Sequence, residues 1–169
     1  EAAWSCYGHL GPSELEDIED SLQWLIDQGH ADPARIGISG YSYGGYFTAY
    51  ALTHSKMFSM GIAGGLVCDW ALYDAVYAER FMMTPEHNPD GYAAARSDNA
   101  AENLHGRLLI VHGLMDDNVH FQNAARLIEA LQKAEQNFDL MVYPRDRHGI
   151  GRGRNHYADL RLQYVLDNL

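Results

Sequence analysis

Three stretches of this chain hold residues whose types and spacing could break an acyl bond. The first is Gly40-Tyr41-Ser42-Tyr43-Gly44, a G-x-S-x-G pattern between an apolar run and a helical one. A serine hydroxyl is a weak nucleophile unless a neighbouring base takes its proton. At the tip of a strand-to-helix turn it is exposed and its backbone is strained. Such a corner is expected to leave no room for a Cβ two residues to either side, at Gly40 and Gly44. It also aims the Tyr43 amide at the space where an oxyanion would form. The other two stretches are His112 to Asp117 and Asp146-Arg147-His148-Gly149, which supply an acid and a base. Asp116 follows Ser42 by 74 residues, and His148 follows Asp116 by 32.

The acid has two adjacent candidates. Asp117 is suited to cap a helix beginning near Val119, which leaves Asp116 to hold the imidazole. His148 follows a strand and precedes a glycine, whereas His112 and His120 flank the acid and are suited to orienting it. A fourth stretch bears Trp70, Tyr73 and Tyr77, three and four residues apart, which places them on one stripe of a helix. Such stripes are commonly core. Two tyrosines and a tryptophan also make a flat apolar wall with polar rims, suited to a proline-like ring.

These residues need a scaffold, and the pattern supplies one. Ser13-Glu14-Leu15-Glu16 reads as a capping box, followed by Leu15, Ile18, Leu22, Leu25 and Ile26 at helical spacing, with Gly29 closing the helix. Strands are expected at Arg35 to Ser39, Phe58 to Ala63, Arg107 to Val111 and Phe138 to Tyr143. Helices are expected over Tyr43 to Thr53, through the Trp70–Tyr77 stripe, from about Phe121 to Leu131 and at the carboxyl end, where Leu162, Val165, Leu166 and Leu169 lie. Residues 82 to 106 read as loop with one short helix. Strands alternating with helices imply an α/β fold, a mostly parallel sheet covered on both faces. Chemistry in such sheets sits beyond the carboxyl ends of the strands, where Ser42, Asp116 and His148 all fall. Serine, then aspartate, then histidine is the chain order of an α/β-hydrolase.

Composition narrows the partners. The 169 residues suit one domain. A net charge of −11 and a pI of about 5.1 argue against nucleic acid and anionic lipid surfaces. The longest uncharged run, Ile36 to Ser55, is broken by four glycines, so no membrane insertion by this chain is expected. Two cysteines, Cys6 and Cys68, make no disulfide framework, and the nine histidines have no metal-ligand spacing; neither a metal nor another cofactor is expected. The chain begins Glu1-Ala2-Ala3-Trp4, as a piece of something longer would.

Four segments together resemble the dipeptidyl-peptidase branch of the prolyl oligopeptidase family of serine peptidases. They are Gly40 to Tyr46, Trp70 to Arg80, His112 to Phe121 and Asp146 to Ile150, and the likeness runs along essentially the whole chain. The resemblance implies the C-terminal part of an α/β-hydrolase catalytic domain with Ser42, Asp116 and His148 as catalytic triad. It implies that Tyr43 lends its amide to the oxyanion hole and its ring to a substrate pocket, lined also by Val67, Trp70, Tyr73, Tyr77 and Val119. Asn118 would bind a substrate carbonyl. The implied activity is removal of dipeptides with proline or alanine in second position from a peptide's free amino end. Acylaminoacyl peptidases and carboxylesterases share the triad, and a hydrolase-fold binding module is the non-enzymatic alternative. The family's β-propeller, its amine-holding glutamates, the upstream strands and the oxyanion-hole tyrosine have no counterpart in these 169 residues. The strand at Arg35 to Ser39 should therefore present an open edge, through which the piece would self-associate, and its activity alone should be negligible.

Overall fold

A computed structural model describes residues 5–169 of the chain. Four strands, β1 (Gly37–Tyr41), β2 (Met60–Gly64), β3 (Arg107–Gly113) and β4 (Asp139–Tyr143), form one sheet in the order β1-β2-β3-β4, every neighbouring pair parallel. The helices packed around it among the described residues include α1 (Pro12–Asp27), α2 (Tyr43–His54), α3 (Ala75–Met82), α4 (Pro89–Ala94), α5 (Gln122–Lys133) and α6 (Arg154–Asn168). Two 3₁₀ segments, Trp70–Leu72 and Asp98–Asn103, lie in the connection between β2 and β3.

Side chains alternate across each strand and so split the core in two. Leu108 and Ile110 of β3 face a large cluster with Leu15, Tyr46, Tyr50, Leu52, Trp70 and Leu127. Leu109 and Val111, one residue out of phase, join Met60, Ile62, Tyr143 and Tyr164 on the opposite face beneath α6. α2 is buried from Gly45 to Thr53, as a helix that is apolar all round must be. Its two threonines are accommodated because each hydroxyl donates back to a helix carbonyl, Thr48 to Gly44 at 2.8 Å and Thr53 to Ala49 at 3.0 Å.

Several boundaries differ from the sequence reading. β1 and β2 each begin two residues later than expected, and β3 runs on to Gly113. α1 is opened by Pro12 with Gly11 as its cap, and Glu14 reaches back to accept the Gly11 N–H at 2.7 Å; Ser13 is inside the helix. The Trp70–Tyr77 stretch is not one helix. Asp69 caps a single 3₁₀ turn, the backbone of Tyr73 is extended, and Asp74 caps α3 by accepting from the Tyr77 N–H at 2.9 Å. Two aspartates that each prefer a cap position over a helix interior explain the break.

β1 pairs only with β2 among the described residues, so the strand leading to Ser42 lies at the sheet's edge. Residues 5–11, upstream of α1, carry no strand, and residues 1–4 lie outside the described part. On α6, Leu162 and Leu166 are exposed, and the helix packs instead through Tyr157, Leu160, Tyr164 and Val165. Cys6 and Cys68 form no disulfide. Among the described residues, no helix is long and apolar enough to cross a membrane.

Candidate active site

The carboxyl ends of β1, β3 and β4 converge. At the first, the chain turns from β1 into α2 through Ser42, whose φ of 60° and ψ of −117° lie outside the regions that side chains prefer. The strain is held by neighbours: the Ser42 N–H donates to Gly64 of β2 at 2.8 Å, and Tyr46 N–H closes on the Ser42 carbonyl at 2.9 Å. A Cβ at Gly40 would stand 2.3 Å from the Gly44 carbonyl, so that glycine is required. The expectation for Gly44 is corrected, because a Cβ there meets nothing within 4 Å. The tight place is one residue on, where a Cβ on Gly45 would lie 2.1 Å from the Gly64 carbonyl oxygen. Tyr43 is the first residue of α2, and its N–H therefore has no acceptor within the helix.

His148 is carried by the loop after β4. Its Nε2 lies 2.9 Å from Ser42 Oγ, and its Nδ1 lies 2.8 Å from Asp116 Oδ2. With the proton on Nδ1 facing the carboxylate, Nε2 accepts the serine hydroxyl. The Asp116 side chain is fully buried and the His148 side chain is 20% exposed. Asp116 also accepts the N–H groups of Asn118, at 3.0 Å, and Val119, at 2.9 Å, through Oδ1. Asp116 thus caps its own turn and orients the imidazole with one carboxylate. Asp117 is not a helix cap; it is exposed and pairs with Arg147.

His112 stands behind the acid, its Nε2 2.9 Å from the Val119 carbonyl and 3.3 Å from Asp116 Oδ2. Burial lowers its pKa below the usual imidazole value, so it is neutral and donates from Nε2. The Tyr41 ring meets His148 edge-on at 5.6 Å, and its hydroxyl, pushed up to about 12 by burial, accepts the Gly149 N–H at 3.2 Å. Asp146 closes the loop by accepting from Arg152 N–H at 2.7 Å and Gly153 N–H at 3.1 Å.

Beside Ser42 the aromatic residues cluster although no single helix carries them. Trp70 stacks on Tyr77 at 5.7 Å and 17°, meets Tyr73 edge-on at 5.9 Å, and lies 5.7 Å from Tyr43. Val67, Trp70 and Val119 are buried, while Tyr73 and Tyr77 are only partly covered. The Tyr73 hydroxyl donates to Asn118 Oδ1 at 3.0 Å, which leaves the Asn118 amide N–H groups to face outward partners.

Sequence reasoning passed over what supports this wall. Asn123, fully buried on α5, accepts from Cys68 N–H at 3.0 Å. Asp69 is paired with Arg126 at 2.9 Å, and Asp98 with Arg96 at 2.6 Å and with Arg126 at 2.9 Å. Buried carboxylates need such partners. A polar residue in an otherwise apolar helix stripe, Asn123 between Phe121 and Ala124, was the available signal.

Known proteins resemble this chain in sequence and in fold. The Prolyl oligopeptidase family profile matches residues 3–166. A probable dipeptidyl-aminopeptidase B of Penicillium rubens is 42% identical over 148 residues, 85% of this chain and 16% of that protein. Human dipeptidyl peptidase 8 is 38% identical over 167 residues, 95% of this chain and 19% of that protein. The crystal structure of Porphyromonas gingivalis dipeptidyl peptidase 4 superposes with a TM-score of 0.93 at 40% identity, covering 98% of this chain and 24% of that one. The chain thus spans about a sixth to a fifth of the length of these curated relatives. The four-stranded parallel sheet is part of an α/β-hydrolase fold. By the extent of the profile match and of these likenesses, the chain belongs to the prolyl oligopeptidase family.

Proposed function

We propose that this chain is the nucleophile-bearing part of a serine peptidase that releases dipeptides with proline or alanine in second position from a peptide's amino end. The observation that carries the reading is the continuous hydrogen-bonded line Ser42–His148–Asp116, set beside the Tyr43–Trp70–Tyr77 wall. The names of the relatives, dipeptidyl peptidases and dipeptidyl-aminopeptidases, support the reaction class.

Ser42 Oγ attacks the carbonyl carbon of the second residue while His148 Nε2 takes the hydroxyl proton. Asp116, desolvated and already holding Nδ1, stabilises the imidazolium that results. The oxygen that becomes negative is met by the Tyr43 N–H. Collapse breaks the C–N bond, His148 returns the proton to the leaving amine, and the dipeptide remains esterified to Ser42. Water then attacks the ester carbonyl, giving its proton to His148, and the dipeptide leaves as Ser42 is reprotonated. Tyr43, Val67, Trp70, Tyr73, Tyr77 and Val119 receive the ring or methyl of the second residue, and the Asn118 amide donates to a substrate carbonyl.

The test uses the full-length protein with Ala-Pro-nitroanilide, free and N-acetylated. Turnover of the free amine alone is expected. Equal turnover of the acetylated compound would favour an acylaminoacyl peptidase. Failure of both, with no labelling of Ser42 by a fluorophosphonate, would leave a hydrolase-fold binding module.

A further inference from the structure

The proposed mechanism leaves one polar contact at the pocket unused. The Tyr43 hydroxyl donates to Glu14 Oε1, 29 residues upstream on α1. The other oxygen, Oε2, accepts the Gly11 N–H at 2.7 Å. One carboxylate therefore fastens the first turn of α1 to the residue that follows Ser42. The bond is local to the pocket, because the same Tyr43 ring lies 5.7 Å from Trp70 and meets Tyr46 edge-on at 5.5 Å. Burial, and then the Glu14 carboxylate, raise the Tyr43 phenol well above its ordinary pKa, so it stays a donor throughout the working pH range.

Tyr43 has two duties in the reading above. Its amide belongs to the backbone of α2, fixed by the Ser42 and Tyr46 hydrogen bonds. Its ring hangs on two side-chain torsions that packing against Trp70 and Tyr46 restricts and that the Glu14 contact fixes at the far end. We propose that Glu14 is a positioning residue that pins the Tyr43 ring as a wall for the substrate's second residue, and so sets the preference for proline. This rests on the peptidase reading, since a ring wall matters only if a side chain is read there. A phenol donating to a carboxyl oxygen in a partly buried site makes a hydrogen bond whose loss suffices for about a tenfold effect.

Three variants in the full-length protein separate positioning from bulk stability. Glu14→Ala removes both contacts. Glu14→Gln keeps them, because its carbonyl accepts from Gly11 and its amide can donate to the phenol oxygen. Tyr43→Phe removes only the donor. For Ala-Pro-nitroanilide relative to Ala-Gly-nitroanilide, the kcat/KM ratio is expected to fall about tenfold in Glu14→Ala and Tyr43→Phe, and to stay within about threefold of wild type in Glu14→Gln. The double variant Glu14→Ala/Tyr43→Phe should be no worse than either single one. Equal losses on both substrates, or a ratio unchanged in Glu14→Ala, would overturn the proposal. If the wild-type protein cleaves neither substrate, the peptidase reading fails on its own. Crystal structures of wild type and Glu14→Ala then still decide the positioning claim: the Tyr43 ring should move or split between rotamers while Ser42 and His148 stay in place. A ring that keeps its position without Glu14 refutes it.

Discussion

Gly113 lies directly beneath the loop that carries the base. A Cβ on Gly113 would stand 2.5 Å from the carbonyl oxygens of both Asp146 and Arg147, the two residues before His148. Both obstacles are backbone, so neither can swing aside. Gly113→Ala is therefore expected to lift His148 from Ser42. A displacement near 1 Å can cost on the order of a hundredfold in rate. Labelling of Ser42 by a fluorophosphonate in the full-length protein measures this directly, and a wild-type rate would show that the loop yields.

The hydrogen-bonded line predicts unequal effects for two adjacent aspartates. Ser42→Ala or His148→Ala should lower kcat by about four orders of magnitude or more with little change in stability. Asp116→Asn should approach that loss, because its amide would offer a donor where His148 Nδ1–H needs an acceptor. Asp117→Asn removes only an exposed pair with Arg147 and should cost far less. Reversed severity in steady-state kinetics would reassign the acid.

What the sequence made legible follows from how local each feature is. The elbow, the strand ends and the order of Ser42, Asp116 and His148 are written in short patterns, and the sheet follows from their alternation. That Gly45 permits close packing at the start of α2 was legible from its place in the elbow, but Gly113 was not, because what excludes a side chain there is the distant backbone of Asp146 and Arg147. The stripe of Trp70, Tyr73 and Tyr77 shows the opposite failure. Helical spacing suggested one helix, yet Asp69 and Asp74 each cap a separate turn, and tertiary packing brings the rings together regardless. Asp117 was assigned as a cap because one carboxylate was expected to do one job, whereas Asp116 serves both the turn and the imidazole.

Tyr77 tests the wall. It stacks on Trp70 but remains partly exposed, so Tyr77→Ala should lower turnover after proline while the fold persists. A fully buried aromatic truncated in the same way costs roughly 3–5 kcal/mol. A large fall in melting temperature with unchanged relative turnover after proline would make Tyr77 a core residue and remove it from the pocket.

His112 supplies a pH dependence of known sign. Its pKa is lowered by burial, so below the ordinary imidazole value of 6.5 the unfolded chain binds a proton that the folded one refuses. Stability should fall as pH drops through that value, and the loss should saturate once the folded-state pKa is passed. Glutamine at this position can donate to the Val119 carbonyl without titrating. The stability gap between wild type and His112→Gln, read by denaturant melts between about pH 8 and pH 5, should narrow on acidification. A gap that is constant or widens would mean that His112 is not held neutral.

The final expectation concerns the 169-residue chain by itself. β1 carries Ser42 at its end yet pairs on one side only among the described residues. An unpaired edge presents N–H and C=O groups to any other strand. Beside it, Ile62 and Val165 with Leu162 border a shallow groove, and Leu162 and Leu166 of α6 are exposed. Open backbone flanked by apolar surface favours pairing with a second copy. The Tyr43 N–H is also the single oxyanion donor that the reading above assigns to this chain, and loss of one donor typically costs ~10²–10³ in rate. The isolated chain is therefore expected to self-associate and to hydrolyse Ala-Pro-nitroanilide far more slowly than the full-length protein. Sedimentation velocity and the nitroanilide assay on the isolated chain check both halves. A stable monomer would show that the β1 edge is protected, and full turnover would show that these residues alone complete the site.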